Sequence, residues 1–388
     1  MNIPKLRFKD NNGNDYPQWE KKLIKDILKI YHGKDYKNEP NEKKLYPVLG
    51  TGGIITYIDK FLCDWECVLI GRKGTINKPQ YMKTPFWSVD TLFYSKPKLK
   101  QNPKFQYYLF QNINWKIYDE STGVPSLSAS TIEHINRFIP TYAEQEKIAS
   151  FFSTIDKKIE NLTNTITSLE NQKKGLLQQI FSQKLRFKDE NGNNYPNWEK
   201  KKLGKLLSIT SSKRVHEADW TTSGIPFYRA RDIVSIFNNK PISKIYISEK
   251  LYEECSSSCG KISENDLLVT GVGTIGIPYL VKKSDKFYFK DGNIIWLKNS
   301  PAIYGKYLFY IFISSYVQKQ INMMTGKGTV GTYTIKNAKD TNILLPCLEE
   351  QTKIADFLSA FDRKLENQKA QLEHWQQIKK GLLQQMFV

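Results

Sequence analysis

The sequence predicts an α+β protein made of one module used twice, each copy ending in a long helix. Three observations predict this: an internal duplication, a heptad seam that closes each copy, and middles in which short apolar runs alternate with glycine-rich turns. A chain of 388 residues with 22 Tyr, 20 Phe and 8 Trp has apolar material for about two or three domains, which excludes disorder throughout.

The tract Leu6-Arg-Phe-Lys-Asp-Asn-Asn-Gly-Asn-Asp-Tyr-Pro-Gln-Trp-Glu-Lys-Lys22 returns at Leu185–Lys201, shifted by 179, with fourteen of seventeen positions identical. A second pair, Ile139–Phe181 and Leu345–Phe387, aligns without gaps at a shift of 206 and includes Lys-Lys-Gly-Leu-Leu-Gln-Gln in both copies. The two shifts differ by 27 residues, so the second copy carries that much extra material in its middle. Matched ends with diverged middles are expected when the ends build a common scaffold and the middles perform two versions of one task.

The second repeated tract is a heptad seam. Ile148, Phe152, Ile155, Ile159, Leu162, Ile166, Leu169, Lys173, Leu176 and Ile180 step by four and three. The second copy places Ile354, Leu358, Phe361, Leu365, Gln368, Leu372, Trp375, Lys379, Leu382 and Met386 on the same positions. Lys173, Gln368 and Lys379 are imperfect members. Two such seams in one chain predict helices on the order of 55 Å long that pair with each other. Two amphipathic helices, each packed on its own domain, would give the same periodicity. The middles, about Tyr46–Tyr94 and Ile225–Leu297, read as short strands and turns, with helices near Pro103–Asn112 and Ile303–Met324.

Lys and Arg number 58 against 39 Asp and Glu, a formal charge of +19, which points to an anionic polymer: nucleic acid first, a membrane surface second. Only eight of the 58 are Arg, so most of the positive charge is Lys suited to phosphates, with few guanidinium forks for base edges. The polar, basic start and the absence of about 18 consecutive apolar residues predict a cytoplasmic protein with no membrane span. Five Cys in a chain of this length argue against a disulfide framework.

Several motifs imitate chemistry. Gly271-Val-Gly-Thr-Ile-Gly276 and Gly326-Lys-Gly-Thr-Val-Gly331 match the dinucleotide fingerprint, but extended sequence follows each where a helix is required, so they read as tight turns between strands. Glycine also lets backbone approach a ligand, and the first copy has corresponding turns at Gly71–Ile76 and Thr122–Ser126. Glu20 with Lys22 and Glu199 with Lys201, each with Asp10 or Asp189, resemble part of a nuclease metal site, although the Asp lies in an Asn- and Gly-rich turn. Cys63-x3-Cys67 and Cys255-x3-Cys259 supply four thiols but fall on non-equivalent positions, and the four His show no metal or triad spacing. No metal site and no catalytic residue is expected. Neither an Asn/Asp-Pro-Pro-Tyr methylation motif nor a Gly-x-Ser-x-Gly elbow is present.

Basic and hydroxyl residues in the diverged middles remain. Arg72, Lys73 and Lys78 surround the glycine turn of the first copy; Lys213, Arg214, Arg229, Arg231, Thr274, Lys327 and Thr329 occupy comparable ground in the second. Such residues hold phosphates or take guanine bidentately, and Arg229-Ala-Arg231 after the apolar Ile225-Pro-Phe-Tyr is the strongest single candidate.

This organisation resembles the specificity subunits (HsdS) of type I restriction-modification enzymes. The resemblance spans nearly the whole chain and rests on Tyr16-Pro-Gln-Trp-Glu20, Tyr195-Pro-Asn-Trp-Glu199, Ile225-Pro-Phe-Tyr-Arg-Ala-Arg-Asp-Ile233, Gly273-Thr-Ile-Gly276 and the Pro-x3-Glu-Gln-x-Lys-Ile exits. The first copy departs by having Tyr46-Pro-Val-Leu-Gly-Thr-Gly-Gly-Ile54 in place of the Ile-Pro-Phe-Tyr-Arg run. The resemblance implies two pseudo-symmetric α/β target recognition domains, residues 1–143 and 185–349, separated by two long antiparallel coiled-coil helices, residues 144–184 and 350–388. Each domain then reads one half of a bipartite sequence on double-stranded DNA, and the helix pair sets a spacer of about one turn, since ~10 base pairs span roughly 34 Å. Implied partners are two methylation subunits, which bind S-adenosylmethionine themselves, and motor-nuclease subunits; no cofactor is expected in this chain. Two rival readings make separate predictions. A self-contained nuclease using Asp189, Glu199 and Lys201 predicts metal-dependent cleavage, and a coiled-coil scaffold predicts salt-sensitive binding that is equal on every DNA.

Overall fold

The duplicated ends form the same structure twice. The computed structural model describes residues 4–325 and 331–387, and the chain divides into two units, Met1–Thr165 with Gln368–Val388 and Ile166–Asn367. In the first unit the Asp10 carboxylate accepts the backbone N–H groups of Asn12 and Asn14, both at 2.8 Å, and closes the Asn-Gly turn. Arg7 then forks onto Glu144 (Nε–Oε1 3.0 Å, Nη2–Oε2 2.7 Å), and the Trp19 indole donates to the same carboxylate at 3.1 Å. Glu144 is fully buried, so these three donors replace the water it has lost. The second unit repeats the arrangement with Asp189, Arg186 on Glu350 (3.1 and 2.8 Å) and Trp198 on Glu350 (2.8 Å). Gln145 and Gln351 finish each exit by donating to Pro140 and Pro346 and accepting from Asn102 and Tyr304. The repeated Arg, Trp, Glu and Gln therefore knit the start of each module to the first turn of its long helix.

Each unit has a two-stranded sheet, a four-stranded sheet and a third sheet, of three strands in the first unit and four in the second. Glu20–Leu23 pairs with Asn136–Ile139, and Glu199–Lys202 with Asn342–Leu345. An antiparallel four-stranded sheet runs Leu28–His32, Leu92–Pro97, Cys67–Gly71, Gln80–Met82 in the first unit. Its counterpart runs Ile209–Thr210, Ile294–Leu297, Leu267–Thr270, Pro278–Leu280. In the third sheet Tyr46–Gly50 lies parallel to Trp87–Ser88, as Ile225–Tyr228 lies parallel to Tyr288–Phe289.

These pairings align Tyr46-Pro47 with Ile225-Pro226, still at the shift of 179. The shift is 199 at Gly74 and Gly273, so 20 of the 27 extra residues lie between those two points. There the first unit turns directly into the strand Gly53–Ile58, whereas the second inserts the helix Ala230–Phe237 before the strand that pairs in the same place, Tyr246–Ile247, and follows that strand with the helix Glu249–Cys259. The sequence reading expects strands and turns across Ile225–Leu297, and these two helices correct it. Their signals are local: Asp232 caps the Arg229 N–H at 2.9 Å, and the Ser248 hydroxyl caps Leu251 at 3.2 Å. The helix Pro103–Asn112 forms as expected; the one expected at Ile303–Met324 is two, Gly305–Ile313 and Ser315–Thr325, meeting at Ser314.

The long helices are Tyr142–Phe181 and Leu348–Met386, 40 and 39 residues. In the first unit Phe152 and Ile155 share a core with Leu383, Met386 and Phe387, while Ile159 and Trp375 pack beside it. In the second, Ile180 and Phe181 share a core with Ile354 and Leu358. Within each unit rising numbers on one helix meet falling numbers on the other, so the pairing is antiparallel. Both sequence alternatives hold together, because each helix packs on its own domain and on its partner. Leu162, Ile166, Leu169 and Leu365 are buried, and half-buried Phe361 meets Phe357 edge-on at 5.4 Å; Leu372 is half-buried.

Two of the imperfect seam members, Lys173 and Lys379, have a structural reason. Lys379 pairs with Asp156 at 2.7 Å, and Tyr108 donates to that aspartate at 2.7 Å. The shift of 206 carries this knot onto Lys173 with Asp362, where Tyr310 donates at 2.6 Å. A lone charged pair in an apolar seam fixes register and orientation. Among the described residues no helix is long and apolar enough to cross a membrane.

Candidate nucleic-acid interface

The glycine turns of the two units share two backbone bonds. In the first, Arg72 N–H donates to Thr91 O (2.8 Å) and Leu127 N–H to Arg72 O (2.9 Å); in the second, Gly271 N–H donates to Asn293 O and Tyr333 N–H to Gly271 O, both at 2.8 Å. These bonds bring the distant segments Gly71–Ile76 and Thr122–Ser126 together, and Gly74 N–H donates to Pro125 O at 2.8 Å. Gly74 and Gly273 have φ of +86° and +69°, the left-handed region that favours glycine. The fingerprint at Gly271–Gly276 is thus a turn between Leu267–Thr270 and Pro278–Leu280, as the sequence predicts.

In the second unit this turn forms one wall of a cleft of about 700 Å³. The helix Ala230–Phe237 supplies the facing wall through Arg231, Val234 and Ser235, with Trp220 and Lys290 also lining it. Three predicted residues, Arg229, Arg231 and Thr274, therefore meet in one place. Arg231 and Thr274 are exposed. The structure gives the two arginines of Arg229-Ala-Arg231 different settings: Arg229 is 8% exposed, and its Nε and Nη2 fork onto Asp232 at 2.8 and 3.1 Å. Its guanidinium also lies over the Trp220 ring at 5.7 Å. It positions the helix that carries Arg231. Arg214 is exposed and tethered to Asp291 at 3.0 Å, and Lys213 is exposed beside it. Lys327 and Thr329 lie outside the described residues.

In the first unit Lys73 and Lys78 are exposed around the turn, and half-buried Arg72 donates to the Asp90 carbonyl at 3.3 Å. Gly50 stands where the second unit has Arg229. The hairpin tip that follows, Thr51–Gly53, lies against the turn, with Thr51 Oγ1 4.0 Å from the position of a Cβ on Gly74. Gln80 Nε2 donates to Gly50 O at 2.8 Å and fixes that approach. Sequence reasoning missed Ile54 and Ile55 of this hairpin, which are 57% and 53% exposed; two adjacent isoleucines after a Gly-Gly turn were the available signal.

The decoys resolve structurally. Glu20 with Lys22 and Glu199 with Lys201 are exposed ion pairs on short strands, and among the described residues no cluster of His, Cys, Asp and Glu could hold a metal ion. The Cys63 and Cys67 sulfurs lie 3.8 Å apart in the first unit's core, whereas Cys255 and Cys259 belong to a helix of the second.

A family model described as the type I restriction modification DNA specificity domain matches residues 16–171 and again 195–374. The chain belongs to that family. The MjaVIII type I restriction enzyme specificity subunit of Methanocaldococcus jannaschii is 24% identical over 97% of this chain and 94% of its own. The MjaIX specificity subunit of the same organism is 26% identical over the same shares. Among solved structures, the type I restriction-modification S subunit from M. genitalium has a TM-score of 0.66 at 18% identity, covering 100% of this chain and 99% of that one. That likeness carries the fold. The chain is a specificity subunit, the DNA sequence-recognition component of a type I restriction-modification system and not its catalyst, and nothing supports the nuclease alternative.

Proposed function

We propose that each unit reads one half of a bipartite target on double-stranded DNA, and that the helix pair sets the spacer and docks two methylation subunits. The observation that carries this reading is one glycine turn, built twice with two shared backbone bonds, facing two different walls. A constant turn suits phosphate contact, because exposed backbone near a helix or hairpin can hold a phosphate without reading sequence. Different walls suit different bases. In the second unit Arg231 reads guanine through O6 and N7, with Thr274 and Lys290 on the backbone; Lys213 and Arg214 contact flanking phosphates. In the first unit Arg72, Lys73 and Lys78 take the phosphates.

In this reading S-adenosylmethionine is held by the methylation subunits, motor-nuclease subunits complete the complex, and the assembly works in the cytoplasm. The knots Tyr108–Asp156–Lys379 and Tyr310–Asp362–Lys173 hold the helix register on which the spacer depends. Genome-wide methylation mapping with this gene intact and deleted, in a host that keeps the methylation subunit, tests the reading. Loss of one bipartite methylated motif is expected. An unchanged methylome in such a host refutes it.

A further inference from the structure

The first unit's hairpin differs from the second unit's helix in chemistry as well as in shape. Tyr46–Gly50 and Gly53–Ile58 form a hairpin whose outer strand is the edge of the three-stranded sheet that Trp87–Ser88 completes. Register shifts between Val48 and Leu49, because Val48 faces Thr56 and Leu49 faces Ile54, leaving Ile55 as the extra residue. A bulge of this kind re-aims a side chain. Ile54 and Ile55 are consequently both more than half exposed, and Tyr57 is 42% exposed. Ile55 reaches back over Gly50, its Cδ1 2.8 Å from where a Cβ there would stand, a contact that the end of its flexible side chain could relieve.

An exposed apolar edge strand invites aggregation unless something covers it. The tip of this hairpin, Thr51–Gly53, lies against the glycine turn, around which Lys73 and Lys78 are exposed, and it follows Gly50 as Arg231 follows Arg229 in the second unit. The major groove admits a two-stranded β-ribbon as readily as a helix, and its apolar feature is the C5-methyl group of thymine. Resting on the DNA-reading role proposed above, we infer that the first unit recognises its half-site through thymine methyl groups packed against Ile54 and Ile55. The basic residues of the turn hold the adjoining phosphates. The two halves of the target are then read by opposite chemistries: apolar contact in one and guanidinium hydrogen bonding in the other.

The test uses the full chain with its methylation subunits and duplexes carrying the mapped motif. Thymidine is replaced by deoxyuridine, which lacks only the methyl group, in one half-site at a time. Removing one buried methyl is expected to weaken binding about fourfold. The penalty should appear in the first unit's half-site and vanish in the Ile54→Thr/Ile55→Thr variant, whose changes are at exposed positions and should leave thermal stability unaltered. Motif-specific binding with no deoxyuridine penalty in either half, or a penalty that the variant retains, overturns this inference and leaves the DNA-reading role standing. Equal binding to every duplex overturns both. A full-chain dimer that the variant converts to monomer assigns the hairpin to a second copy of the chain and also overturns it.

Discussion

Arg229 and Arg231 are two residues apart, and the structure predicts opposite consequences for their loss. Arg229 and Asp232 have side chains 10% and 3% exposed, and the carboxylate receives Nε at 2.8 Å, Nη2 at 3.1 Å and the Arg229 backbone N–H at 2.9 Å. Arg229→Ala leaves Asp232 buried with only the backbone donor, and breaking a buried pair from one side costs about 3–5 kcal/mol. Arg231→Ala removes an exposed side chain with no ion-pair partner among the described residues, so stability should change by no more than about 0.5 kcal/mol. Its cost should fall on binding: about 1–3 kcal/mol, with relaxed choice at one base pair of one half-site. Urea unfolding of the full chain and competition binding against duplexes with single base-pair changes separate the two effects. Arg229→Ala with wild-type stability, or Arg231→Ala with undiminished discrimination at every base pair, refutes the assignment of positioning to one and reading to the other.

Other outcomes follow from the same geometry. Lys379→Met strands Asp156 in the seam and should cost about 1–3 kcal/mol in urea unfolding, between exposed and buried pairs; adding Asp156→Leu should recover most of it. Replacing Lys73 and Lys78 by Gln should weaken binding equally on all sequences and lower the slope of log affinity against log salt by about 0.9 for each phosphate that is no longer neutralised. One heptad inserted between Leu162 and Ile166, with its mirror between Gln368 and Leu372, adds about 10 Å of helix and should lengthen the methylated motif's spacer by about three base pairs. Burial pushes the Tyr107 hydroxyl up to about 12, so its protonated form is favoured on folding. That contribution is whole below the unfolded value of about 10 and is lost as pH rises from there towards 12, which tyrosinate absorbance and stability measured together should follow.

The scaffold was legible because it is written twice and each repeated residue has a structural duty. Arg7, Trp19, Glu144 and Gln145 recur as Arg186, Trp198, Glu350 and Gln351 because a buried carboxylate and amide need all their partners. The heptads were legible from period alone, but Lys173 and Lys379 looked like defects because their partners, Asp362 and Asp156, lie about 190 and 220 residues away in sequence. The helix Ala230–Phe237 was hidden in a run of β-branched residues, whereas Glu249–Cys259, with Ser248 at its N-cap and no β-branched residue, carried a local helix signal inside a strand-rich stretch. The difference between Arg229 and Arg231 was not legible, since the capping partner of Arg229, Asp232, lies three residues on and only the burial of both reveals the pair.

In the proposed function two similar units read two independent half-sites. Its most direct test exchanges residues 24–135, the first unit's middle, for those of another specificity subunit and maps genomic methylation in a host with the methylation subunit. The expected result is a motif in which one half changes while the other half and the spacer stay as they were. A motif altered in both halves, or in neither, would contradict it.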